Sequence, residues 1–156
     1  MPVFPTLSHV VLVITAATLF YVALTDLKEY KIRNDLVIVL AALFFLHAIL
    51  SGRWTTLHWN VGFALVMFAV MLYYYSQKLM GGGDLKILTV AFLWVGLSCA
   101  MWFALLLLIF AGFHTVLAKL RWVDAQEVEG RKRIAFAPSV AAALIGTFLL
   151  GCLHTI

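Results

Sequence analysis

The chain has 156 residues, of which 65% are apolar and only 12% charged, and its mean hydropathy is +1.06. An average soluble domain is about half apolar and about a quarter charged, so a water-soluble ball of this size could not hide so much hydrophobic surface. The composition points to an integral membrane protein with room for one membrane domain, residues 1–156, and excludes a nucleic-acid module or a separate soluble enzyme.

The first apolar run extends from Leu7 to Leu24. No Lys or Arg precedes Lys28, so the run lacks the positive flank of a cleavable signal peptide and reads as a membrane span. Further apolar runs cover Leu36 to Leu50, Trp59 to Tyr75 and Ala135 to Leu153, each read as one crossing, the first of these only with its flanking residues included. Between them, Ile87 to Ala118 spans 32 residues, too long for one crossing and short for two.

The net charge is +4, and its distribution resolves that ambiguity. All seven acidic residues and ten of the eleven basic ones fall in 26–35, 78–86 and 119–133, which read as loops on one side of a membrane. Only two crossings between 87 and 118, broken near Gly96 and Ser98, keep these basic residues together on the cytoplasmic side and leave Arg53 alone outside. The sequence therefore predicts an all-α polytopic bundle of six transmembrane helices with both termini outside. Trp54 to Asn60 would form the one substantial outer loop, and Tyr73, Tyr74 and Tyr75 would approach the cytoplasmic end of the third helix. The 119–133 loop, with Trp122, Val123 and Val128 among its charges, is expected to lie on the inner membrane surface. Ala141, Ala142, Ala143 and Gly146 predict close packing of the last helix.

Cys99 and Cys152 form no CxxC pair, so neither a thiolate zinc site nor a disulfide framework is expected. His9, His47, His58, His114 and His154 have no ligand spacing and read as structural, so no metal is expected.

Two acids stand out by position. Asp26 follows the first apolar run and Asp84 precedes the fourth, which places both at cytoplasmic helix ends at similar depth. A carboxylate near the hydrocarbon edge costs up to about 3 kcal/mol on insertion scales and is a functional candidate for that reason. Taken alone, Asp26 is equally compatible with a water-facing cap or a partner of a nearby Lys. Asp84 follows Gly81, Gly82 and Gly83, and glycines cost a helix roughly 1 kcal/mol each while letting another backbone come close, as an extended substrate would need. Asn34 reads as the cap of the turn into the second helix, and Lys86 either as a charge beside Asp84 or as an interfacial anchor.

The segment Gly81-x-Gly83-Asp84 resembles the signature of intramembrane aspartyl proteases. Within that group the type IV prepilin peptidases fit best. Asp26-Leu-Lys-Glu-Tyr-Lys-Ile32-Arg-Asn34 is similar to their first motif, an Asp, five residues, then Ile-Pro-Asn, and Gly83-Asp84-Leu-Lys86-Ile-Leu to their Gly-Asp-Val-Lys-Leu-Leu. Ile134-Ala-Phe-Ala-Pro138 resembles a third motif, Ile-Pro-Phe-Ala-Pro. Arg33 and Ala135 stand where the family has proline, and the CxxC-bearing cytoplasmic domain of larger members is missing, as in the small branch that serves Flp-type pilins of tight-adherence systems.

The resemblance implies a cofactor-free aspartic endopeptidase of the bacterial inner membrane, with Asp26 and Asp84 catalytic at the cytoplasmic face. Gly81, Gly83, Lys86, Asn34 and Pro138 would shape the substrate site. The implied partners are a prepilin or pseudopilin with a short basic leader and the surrounding lipid, and methylation of the new terminus is not implied. Competing readings are a small proton- or cation-coupled transporter component using the same acids, and a non-catalytic subunit of a pilus or secretion machine. A transporter would place its acids near the bilayer midplane, whereas these lie at one rim.

Overall fold

A computed structural model describes residues 5–52, 54–120, 126–128, 131–133 and 135–151. Its elements are α1 (Pro5–Glu29), α2 (Asn34–Ser51), α3 (Trp54–Ser76), α4 (Gly82–Lys119), a ribbon of β1 (Gln126–Val128) and β2 (Arg131–Arg133), and α5 (Ala137–Leu149). The strands pair antiparallel with Val128 opposite Arg131, a small departure from an all-α chain.

The helices are apolar around their whole circumference, because each packs on protein on one side and is open on the other. On α1, Leu19 and Val22 are almost completely buried while Val13 is 69% and Phe20 63% exposed. In water such exposure would be costly, and against hydrocarbon it is favourable. The buried side joins Leu40 and Phe44 of α2, Trp94 and Phe103 of α4, and Val140 and Leu144 of α5. Trp94 packs edge-on against Phe44 at 5.6 Å between centroids, and its indole Nε1 donates to the Leu40 carbonyl at 3.0 Å, so a polar atom with no water to bond finds a partner across the bundle.

The break expected near Gly96 is present. Within α4, Gly96 has φ 61° and ψ −174°, a conformation essentially confined to glycine, and the buried Asn60 of α3 occupies the space a β-carbon there would need. Phe92 and Phe103 would lie about 16 Å apart along a straight helix, yet their ring centroids are 5.5 Å apart. The limb 97–119 therefore folds back beside the limb 82–95.

Thr6–Glu29, Asn34–Ser51, Thr56–Ser76 and Gly82–Leu117 are long and apolar enough to cross a membrane, four candidates against six expected crossings. The difference lies in α4, one candidate span over the stretch where two crossings are expected, and in α5, whose 13 residues fall short of the usual length. The expected outer loop is corrected more simply. Residues 54–60 already form the first turns of α3, because nothing in that stretch breaks a helix. Cys99 is buried and disulfide-bonded, contrary to expectation, since spacing rules for adjacent cysteines do not register bonds made by the fold. Cys152, His154, Trp122 and Val123 lie outside the described residues.

Candidate active site

Asp26 sits in the last turn of α1. The helix stops three residues later because Tyr30 turns into the left-handed region at φ 50°, with its N–H donating to the Asp26 carbonyl at 2.9 Å. The side chain of Asp26 is buried, and its Oδ2 accepts a 2.9 Å hydrogen bond from the backbone N–H of Ala137, 111 residues away. Ala137 begins α5, and the first N–H groups of a helix have no partner within it. Phe136, at the N-cap position, has no side chain that could serve, so the Asp26 carboxylate caps α5 from another helix, facing the N–H groups of both Phe136 and Ala137.

Arg33 takes φ −72° and ψ 136°, which proline would also adopt, so replacing the family's proline leaves the turn into α2 unchanged. Its guanidinium pairs with Asp35 at 3.0 Å, and that carboxylate raises the already high basicity of the arginine. Both side chains are well exposed, and such pairs contribute little to stability. Asn34 does not cap α2 as expected. It is the first helical residue, and its Oδ1 accepts a 2.8 Å hydrogen bond from Nζ of Lys86, whose long side chain reaches across from α4.

Asp84 lies in the first turn of α4, where the helix dipole favours a carboxylate. Gly81 precedes that helix, and a β-carbon on it would stand 3.0 Å from Asp84 Oδ2, tighter than nine in ten real contacts of that kind. The missing side chain thus leaves the carboxylate its position. A β-carbon on Gly83 would meet Ile32 at 3.5 Å, an ordinary contact, so that glycine is less constrained.

Asp26, Asp84, Asn34, Gly81, Gly83 and Lys86 all line one cleft of about 800 Å³. Pro138 does not. It occupies the second position of α5, behind the lining residues Ala135 and Phe136, where its missing N–H costs the helix nothing. Tyr30, Lys78, Leu79 and Met80 also line the cleft, and no sequence pattern singled them out. Nor was the Ala137 N–H foreseeable, because a backbone donor carries no mark in the residue type. Among the described residues no group of three or more His, Cys, Asp or Glu side chains converges in a way that could hold a metal ion.

Searches of curated proteins and of solved structures gave no significant match. The family model described as the type IV leader peptidase family matches residues 13–118, about two thirds of the chain. The matched stretch contains Asp26, Asn34 and Gly81 to Lys86 and ends before Pro138. With that match running through both acids and most of the cleft, the chain belongs to the type IV leader peptidase family, as a membrane-embedded peptidase.

Proposed function

We propose that the protein is an aspartic endopeptidase that removes short basic leaders from Flp-like prepilins or pseudopilins at the cytoplasmic face of a bacterial inner membrane. The observation that carries this reading is that Asp26 and Asp84, far apart in the chain, line the same glycine-flanked cleft.

Two neighbouring carboxylates that share one proton supply both functions that peptide hydrolysis needs. The ionised acid takes a proton from water as its oxygen attacks the scissile carbonyl carbon, and the protonated acid hydrogen-bonds the carbonyl oxygen as it gains charge. Proton return to the leaving nitrogen accompanies cleavage of the C–N bond. Base and acid are assigned to the dyad rather than to either residue. The glycines at 81–83 admit an extended substrate backbone, while Lys86, held by Asn34, places a cation on the cleft wall.

The topology belongs to the same reading: six crossings, with α4 contributing two, both termini outside and the cleft inside. The reversal at Gly96 supports it, as does the clustering of ten basic residues at 28–33, 78–86 and 119–133. Both acids lie in terminal turns of their helices, which favours a peptidase cleft at a membrane rim over a midplane ion pathway.

Co-expression with an Flp-like prepilin, read as a gel shift on leader loss, tests the activity. Wild-type protein should convert the substrate and Asp26→Asn and Asp84→Asn should not. Retained conversion in either variant would remove that residue from the catalytic pair. Cysteines introduced at Ser51 and Ala125 should label from opposite sides of the membrane, and labelling of both from one side would end the six-crossing topology.

A further inference from the structure

Asp26 owes its placement to a backbone N–H on a short helix, which raises the question of what holds that helix in register. The first turn of α5 runs from Phe136 through Ala137 and Pro138 to Ser139, tightened by the Ser139 N–H donating to the Phe136 carbonyl at 3.1 Å. Ser139 is buried, and its Oγ lies 3.3 Å from Nδ1 of the half-buried His114 on the second limb of α4. A buried hydroxyl without a partner is costly, so the contact favours one register of α5 against α4.

We propose that His114 is a positioning residue: through Ser139 it ties the first turn of α5 to the second limb of α4 and thereby keeps the Ala137 N–H aimed at the Asp26 carboxylate. This rests on the reading of Asp26 as catalytic. His114 is not among the residues that line the cleft, so it meets no substrate there. It nevertheless stands close enough to Asp26 for the two groups to interact electrostatically. The relay is short: His114 to the Ser139 hydroxyl, Ser139 through its own turn to Ala137, and Ala137 N–H to Asp26.

The test uses the full chain in detergent with a purified Flp-like prepilin, and compares His114→Leu, Ser139→Ala, their double variant, His114→Asn and Asp26→Asn. Asparagine carries a hydrogen-bonding atom near the position of Nδ1 and no titratable ring, so it isolates the tether from the charge. His114→Leu and Ser139→Ala should each lower kcat about tenfold or more, the scale of a small misplacement of a reacting group. KM should stay within about twofold, and the double variant should be no worse than the poorer single, as for parts of one unit. His114→Asn should recover most of the loss. Hydrogen exchange of the peptide containing Ala137 should quicken in His114→Leu and Ser139→Ala and return to the wild-type rate in His114→Asn.

Wild-type kcat in His114→Leu or Ser139→Ala, with Asp26→Asn inactive, would overturn the tether and leave the catalytic pair standing. Asparagine as damaging as leucine would overturn it too. An active Asp26→Asn would instead overturn the catalytic reading, and the exchange rates would still decide the tether. Should His114→Leu fail to fold, Ser139→Ala, which removes one hydroxyl, settles the matter on the same readouts.

Discussion

Gly81 and Gly96 stand at the two ends of the first limb of α4, each against a polar side chain, and the two pairings do opposite things. At Gly96 the polar group is Asn60, buried and pressed into the space that a β-carbon would fill. At Gly81 it is Asp84, whose carboxylate borders an open cleft. Each glycine lets a polar group approach the backbone. What surrounds it differs: closed packing between α3 and α4 makes Gly96 architectural, while Gly81 borders the open cleft beside Asp26, where the proposed function gives it a chemical role. A glycine next to a polar residue therefore reports proximity, and its role is read from access.

The strongest way to break that contrast is to remove charge at the cleft. Asp26→Asn, Asp84→Asn and the double variant should each lower leader cleavage by about 10³-fold or more, and by similar amounts, because they belong to one unit. In Asp26→Asn the side-chain amide retains an oxygen that can accept the Ala137 N–H, so the melting temperature in detergent should not fall. A sharp fall would mean that the carboxylates serve folding and would return the cleft to the architectural class.

At the opposite end, Gly96→Ala should cost about 3 kcal/mol of stability, since its backbone region is essentially glycine-only and Asn60 would have to move. Cleavage per folded molecule should change little. A melting temperature equal to wild type would show that the reversal tolerates a side chain.

Gly81→Ala should give the converse pattern at smaller scale. A methyl 3.0 Å from Asp84 Oδ2 displaces the carboxylate by a few tenths of an ångström, and cleavage should drop by about tenfold with melting nearly unchanged. Full activity would detach the glycine from the acid. The smallest effect is expected at Arg33→Pro, where the backbone already has a proline-compatible φ and the lost Asp35 pair is exposed. Stability should shift by at most about 0.5 kcal/mol with cleavage retained, and a larger loss would show that the arginine itself serves the site.

Much of the site was legible because its signals are local. Asp26 stands at an apolar boundary, and Asp84 follows three glycines that no transmembrane helix would need. Gly96 was legible through arithmetic, since 32 apolar residues fit neither one crossing nor an unbroken helix consistent with the charges. Asn34 was misread as a cap because capping preference is a statement about neighbours, and its partner Lys86 comes from another helix. His114 was read as one of five scattered histidines, and only packing sets it beside Ser139.

Composition, charge placement and glycine spacing are thus enough to place this chain in a lipid bilayer, to predict an orientation and to point to two acids, because transfer free energy and backbone sterics act residue by residue. That both acids face one cleft, that α4 doubles back, and that a backbone N–H 111 residues away holds Asp26 could not be had that way. Those contacts form between segments remote in sequence. They exist because buried donors and acceptors must find partners wherever the packed helices happen to bring them.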